Sequence, residues 1–186
     1  MRMEGLAIFT IGHSTRDLAE FEKILLGHSI SLLVDIRTIP RSRHTPQFNR
    51  EGLEKALPRL GIGYLHMEEL GGYRKASRDS INTAWRNASF RGYADYMQTG
   101  EFAAGIERLI TLAKGQKTAI MCAEGNPFRC HRSLVADALE ARGVKVMHIS
   151  GASSASPHAM TKFALVKGKK VSYPKGREDA GKLAGW

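Results

Sequence analysis

The chain has 186 residues, 42% of them apolar and 25% charged, a balance that excludes wholesale disorder and fits one domain with an appendage. Its two cysteines exclude a disulfide framework, and no apolar run approaches the roughly 18 residues of a membrane span. Twenty-eight Lys and Arg against eighteen Asp and Glu give +10, which points to an anionic partner.

Leu6 to Ser14, LAIFTIGHS, is apolar and reads as a buried first strand. TRDLAEFEKILLGH follows, with Leu18, Phe21, Ile24 and Leu25 at helical spacing, Ser14 or Thr15 as cap and Gly27 as stop. Ser31 to Arg37, SLLVDIR, is a second apolar strand. Two prolines and several polar residues make TIPRSRHTPQFN a loop. NREGLEKALPRLG returns to helical period, weakened at Pro58. IGYLHMEEL predicts a short third strand. Gly71 to Gly92 has no clear period and reads as a long excursion, with a short helix over Tyr93 to Gln98 after it. Glu101 to Lys114 is a stronger helix, KTAIMC a fourth strand, HRSLVADALEARG a helix stopped by Gly143, and VKVMHIS a fifth strand.

This alternation predicts an α/β fold: a mainly parallel sheet of about five strands with helices on both faces. Residues 1–150 form its core domain. Residues 151–186 are a basic C-terminal extension, packed on the core or trailing from it. The extension begins as a small-residue loop. It forms a hairpin around Lys167-Gly168-Lys169 and ends in loose Gly- and Lys-rich residues. From Ala159 onward it carries seven basic and two acidic residues, half of the net charge. The N-terminus lacks the apolar length and cleavage site of a secretory signal, so a cytoplasmic location is expected, with no membrane partner.

Ligands of open α/β sheets bind beyond the carboxyl ends of the strands. Three strand ends carry unusual residues here: Gly12-His13-Ser14, Asp35-Ile36-Arg37 and Cys122-Ala123-Glu124. In MCAEGNPFRCHRS a cysteine ends a strand, a Gly- and Pro-containing loop follows, and a helix begins. Loop and helix amides in that arrangement cradle an anion and lower the pKa of a thiol. Cys122 is therefore the expected nucleophile, with His131 or Glu124 moving the proton. Arg129 and Arg132 bind the anion with the loop, and Cys130 positions it. Arg37, Arg41 and Arg43, in DIRTIPRSRH, add guanidinium groups suited to phosphate or carboxylate. His13, Ser14 and Asp35 are further site candidates. The seven residues between Cys122 and Cys130 are not a usual zinc spacing, so neither metal nor cofactor is expected. Arginines and aromatics mingle in the excursion, in an order that serves either a nucleic-acid strand or a lid packed on the sheet.

The segments TIGHS, LLVDIRTIPRSR, LGG, FRGYADYM, MCAEGNPFRCHRS and the HIS…PH pattern around His148 and His158 occur in that order. Through them the chain resembles the domain of unknown function 488 family. The resemblance implies an α/β domain and no established reaction. It singles out as signature positions His13, Ser14, Asp35, Arg37, Pro40, Ser42, Gly71, Gly72, Tyr93, Cys122, Glu124, Cys130, His131 and Arg132. A weaker similarity is to rhodanese-like and Cys-dependent phosphatase domains, in which a strand ending in Cys leads into an anion loop. Here six residues separate Cys122 from Arg129, where the phosphatase loop has five.

Three functions fit the sequence. One is a Cys-dependent enzyme acting on a phosphate- or sulfur-bearing substrate through an anion-binding site. Another is a non-catalytic nucleic-acid or nucleotide binder. The third is a structural or regulatory partner protein.

Overall fold

The computed structural model describes residues 5–176. The apolar runs become the strands β1 (Ala7–Gly12), β2 (Leu32–Asp35), β3 (Gly63–His66), β4 (Thr118–Cys122) and β5 (Lys145–Gly151). Every residue of β2 and β4 is buried, as strands covered on both faces must be. The sheet order is β3-β2-β4-β1-β5-β6, parallel throughout except for the edge strand β6 (Ser154–Pro157), which runs antiparallel to β5. This sixth strand replaces the expected small-residue loop. An edge strand facing solvent needs no apolar pattern.

Two apolar clusters cover the sheet. On one face α1 (Leu18–Gly27) and α2 (Arg50–Ala56) bring Phe21, Ile24, Leu25 and Leu53 against Ile11, Leu33 and Met121. On the other, α3 (Ala88–Tyr96), α4 (Gly100–Gly115) and α5 (Arg132–Glu140) bring Tyr93, Phe102, Ile106 and Leu134 against Ile8, Val34 and Ile120.

Three local expectations change. Asp17, not Ser14 or Thr15, caps α1, accepting the Glu20 N–H. Gly27 is the last residue of α1 and not a left-handed stop. Its missing Cβ lets the Ala152 carbonyl approach, since a Cβ would lie 2.3 Å from that oxygen. The short helix starts at Ala88 instead of Tyr93, because the Asn87 side chain accepts the Ser89 and Phe90 N–H groups.

The extension to Gly176 packs on the core. Strands β7 (Leu165–Lys167) and β8 (Lys170–Ser172) form the expected hairpin, with Gly168 at φ +59°. Tyr173 is fully buried and joins distant parts of the chain. Its N–H donates to Asn82 in the excursion, and its OH donates to Asp137 on α5. Asp137 also takes hydrogen bonds from His158 and from the Thr161 N–H. His158 in turn meets His148, and His148 meets Thr10, which completes a buried polar chain between β1 and α5. The Gly- and Lys-rich end expected to be loose lies in 177–186, outside the described residues. Among the described residues, no helix is long and apolar enough to cross a membrane.

Candidate active site

Strands β1, β2 and β4 end side by side, with Gly12 in register with Cys122 and Asp35 with Met121. Beyond them opens a cleft of about 440 Å³. It brings together His13, Arg37, Arg41, Cys122, Glu124, Arg129, Cys130 and His131, and leaves out Ser14, Asp35, Arg43 and Arg132. Gly72 and Tyr73 from the excursion and Ser89 and Phe90 from α3 complete a wall that strand-end reasoning misses. The LGG and FRGYADYM segments were the available signal.

At the base of the cleft lie two thiols and one imidazole. His131 Nδ1 is 3.6 Å from Cys130 Sγ and 3.9 Å from Cys122 Sγ. His131 Nε2 is 3.0 Å from the Ile36 carbonyl oxygen, which accepts only. The proton of the neutral ring therefore sits on Nε2, and the Nδ1 lone pair faces both sulfurs. The ring is confined: a Cβ on Gly72 would lie 2.6 Å from Nδ1, and the Tyr93 ring is 5.0 Å away.

The two cysteines differ in their electrostatic surroundings. The neighbouring Cys122 thiol favours the Cys130 thiolate, burial opposes it, and Arg132 favours it again through its charge and its N–H; the outcome is a pKa pushed down to about 7. That N–H, at the start of α5, lies 3.5 Å from Cys130 Sγ. Cys122, beside Cys130 and itself buried, is pushed up to about 12. The helix terminus thus acts on Cys130, whereas the sequence argument aimed it at Cys122.

The arginines divide by task. Arg37 is buried and its guanidinium is tied to its neighbours: Nε and Nη2 donate to Asp35, Nη2 also to the Phe48 carbonyl, and Nη1 to His13 Nε2. Burial works against its charge, but Asp35 outweighs that and raises its pKa. Asp35 also accepts from Tyr64 OH and from the Arg37 N–H. His13 stacks on Phe48 at 4.4 Å and donates from Nδ1 to the Ser14 carbonyl. Burial, foremost, lowers its pKa to about 4. Arg37 and His13 are thus parts of a rigid wall, and Arg37 is not a free anion-binding arm.

Arg132 is 1% exposed and lies behind the loop, where Nη2 holds the Glu124 and Gly125 carbonyls. Glu124 is exposed and makes no side-chain ion pair among the described residues, so it is not the expected internal counter-charge. Arg41 is exposed and pairs with Glu51 at 2.9 Å. Arg43 is exposed and is not part of the cleft lining. Arg129, on a 3₁₀ turn from Pro127 to Arg129, is exposed and makes no ion pair among the described residues. In the same loop the amides of Ala123, Glu124, Gly125 and Asn126 donate no hydrogen bond among the described residues. Ser14 has φ +53° and donates its N–H to the Ala123 carbonyl, pinning the loop to β1. Most aromatics of the excursion pack inward: Trp85 meets Phe90, Phe163 and Tyr173, and Tyr93 meets Tyr96 and Phe102.

Fold and site together define a doubly covered α/β protein with a thiol–imidazole cleft at the carboxyl edge of its sheet. Residues 17–139 match the family model described as Domain of unknown function DUF488, and the chain belongs to that family. The match includes both cysteines, His131 and Arg132, and leaves His13, Ser14, His148 and His158 outside it. No curated protein and no solved structure matches the chain.

Proposed function

We propose that the protein is a thiol-dependent enzyme acting on a small anionic substrate with an electrophilic phosphorus or sulfur atom. The observation that carries this reading is the single Nδ1 lone pair of His131 facing Cys130 and Cys122 at the base of the cleft. A thiol beside an unprotonated imidazole is an activated nucleophile. Cys130 is the nearer sulfur and also accepts an N–H at the start of α5, so it is the attacking atom. Its proton moves to Nδ1, a bond forms from Sγ to phosphorus or sulfur, and the leaving group departs with the bonding pair and takes that proton. Arg129 and the unpaired amides of Ala123 and Glu124, all on residues that line the cleft, hold the substrate's charge.

Tyr73 favours a nucleotide-like anion in particular. Its ring is 77% exposed at the cleft, free to stack on a base. Alkylation of the metal-free protein with iodoacetamide tests the reading. Cys130 is labelled in the native state, inorganic phosphate or sulfate slows the labelling at least tenfold, and Arg129→Ala removes that protection. Two thiols inert in the native protein, or labelling indifferent to both anions, would overturn it.

A further inference from the structure

Cys122, Cys130 and His131 place two Sγ atoms and one Nδ1 all within 4.8 Å of one another. A tetrahedral zinc ion, with Zn–S near 2.3 Å and Zn–N near 2.0 Å, requires its ligands to stand about 3.6 Å apart for S and N and about 3.8 Å for two sulfurs. The two S···N separations here are 3.6 and 3.9 Å. The two S···N edges therefore already match those of a coordination tetrahedron to within a few tenths of an ångström, and the two sulfurs lie within 4.8 Å of each other.

The surroundings fit the same purpose. Metal-ligating histidines give their second ring N–H to a carbonyl or carboxylate, which fixes the tautomer and aims the other nitrogen. His131 does this through Nε2 to the Ile36 carbonyl. Gly72 and Tyr93 bracket its ring, and the Cys130 backbone is held between the Pro127 carbonyl and the Ser133 N–H and Oγ. Two thiolates neutralise a divalent cation, so the base of the cleft would carry no net charge beside the paired Asp35 and Arg37. The seven-residue sequence gap is not an obstacle, because the loop folds back through its 3₁₀ turn and returns Cys130 to Cys122.

We propose that Cys122, Cys130 and His131 form a binding site for a thiophilic divalent cation, Zn²⁺ foremost, with three protein ligands and one coordination position open to the cleft. All three ligands line that cleft, and among the described residues no other three His, Cys, Asp or Glu donors stand so close together. Three protein ligands and an open position characterise reactive zinc sites, whereas structural sites are closed by four. The open position faces the region that Arg129 and the loop amides prepare for an anion. The site uses the same side chains as the proposed thiol chemistry, and neither sulfur is free to attack while the cation is bound.

The test uses the full chain, reduced and stripped with a chelator, and titrated with Co²⁺ alone. One Co²⁺ per chain is expected, with the intense visible bands of a four-coordinate site and thiolate-to-cobalt charge transfer in the near ultraviolet. Zn²⁺ then displaces it. Cys122→Ser, Cys130→Ser and His131→Gln each weaken uptake at least tenfold, with circular dichroism confirming that each variant is folded. Inorganic phosphate should shift the visible bands by entering the open position. No uptake at millimolar Co²⁺, the pale spectrum of a six-coordinate ion, or equal uptake by the double serine variant would overturn the site. Bands unmoved by phosphate would overturn its open position. Alkylation of the metal-free protein reads the thiol chemistry separately. Labelled thiols without Co²⁺ uptake sink the metal site alone, and Co²⁺ uptake with inert thiols sinks the thiol enzyme alone.

Discussion

Close approach makes two chemically identical thiols differ. Cys122 and Cys130 lie within 4.8 Å of each other, so the pair releases its first proton at Cys130 and holds the second far more tightly. A group whose pKa is lowered is ionised at lower pH. Alkylation of metal-free protein should therefore rise through a midpoint near pH 7, with Cys130 carrying the label. Cys122→Ala removes the neighbouring thiol and should move that midpoint upward toward the ordinary thiol value of about 8.5. Peptide mass spectrometry over a pH series checks both statements, and preferential labelling of Cys122 would refute the order. The sequence cannot reveal this order. Both cysteines flank one loop, and the choice depends on which sulfur the Arg132 N–H reaches. Nor can it show that Arg37 is consumed by Asp35, His13 and Phe48, since an arginine at a strand end looks equally suited to bind an anion.

Backbone proximity governs the elements around the cleft. A Cβ on Gly12 would lie 1.8 Å from the Glu124 carbonyl oxygen, so the end of β1 and the loop after β4 touch main chain to main chain. Gly72→Ala would press on the His131 ring, a side chain that is able to yield. That substitution should leave the fold intact but cut Cys130 labelling severalfold, as read by the same alkylation assay. Beneath the cleft, Asp35→Asn leaves the buried Arg37 guanidinium uncompensated and should cost about 3–5 kcal/mol in denaturant unfolding. A loss under about 1 kcal/mol would contradict the wall described for Arg37. Strands β1, β2, β4 and β5 were legible because parallel strands covered on both faces are continuous apolar runs. Strand β6 was not, since SSASP carries no apolar alternation. The start of α3 was missed because its first turn is polar and only Asn87 marks it.

The whole molecule responds to pH through the buried chain from Thr10 to Tyr173. Burial, then the neighbouring His158 and Arg132, lowers His148 from 6.5 to about 4. Above pH 6.5 neither the folded nor the unfolded state protonates it, and its contribution is complete. As pH falls from 6.5 toward 4 the unfolded chain binds a proton that the folded chain refuses, and about 3 kcal/mol of stability is lost. Urea midpoints at pH 7.5, 6 and 5 should fall more steeply for the natural chain than for His148→Gln. Parallel curves would exclude this origin. The network was half legible: the two histidines stood in the HIS…PH pattern, but a carboxylate on the apolar side of α5 gave no hint of its partners.

That carboxylate also bears on the order of synthesis. Every hydrogen bond to the Asp137 carboxylate comes from residues 158 to 173, and its side chain is fully buried. A nascent chain that has emerged only to Gly151 already holds all five parallel strands, yet has nothing to satisfy this group. Completion of the core therefore waits for residues 158–173 to leave the ribosome, and this segment acts as a clasp on α5. A chain stopped at residue 150 should populate an expanded state that binds a hydrophobic dye, and adding back a peptide of residues 151–176 should suppress that binding.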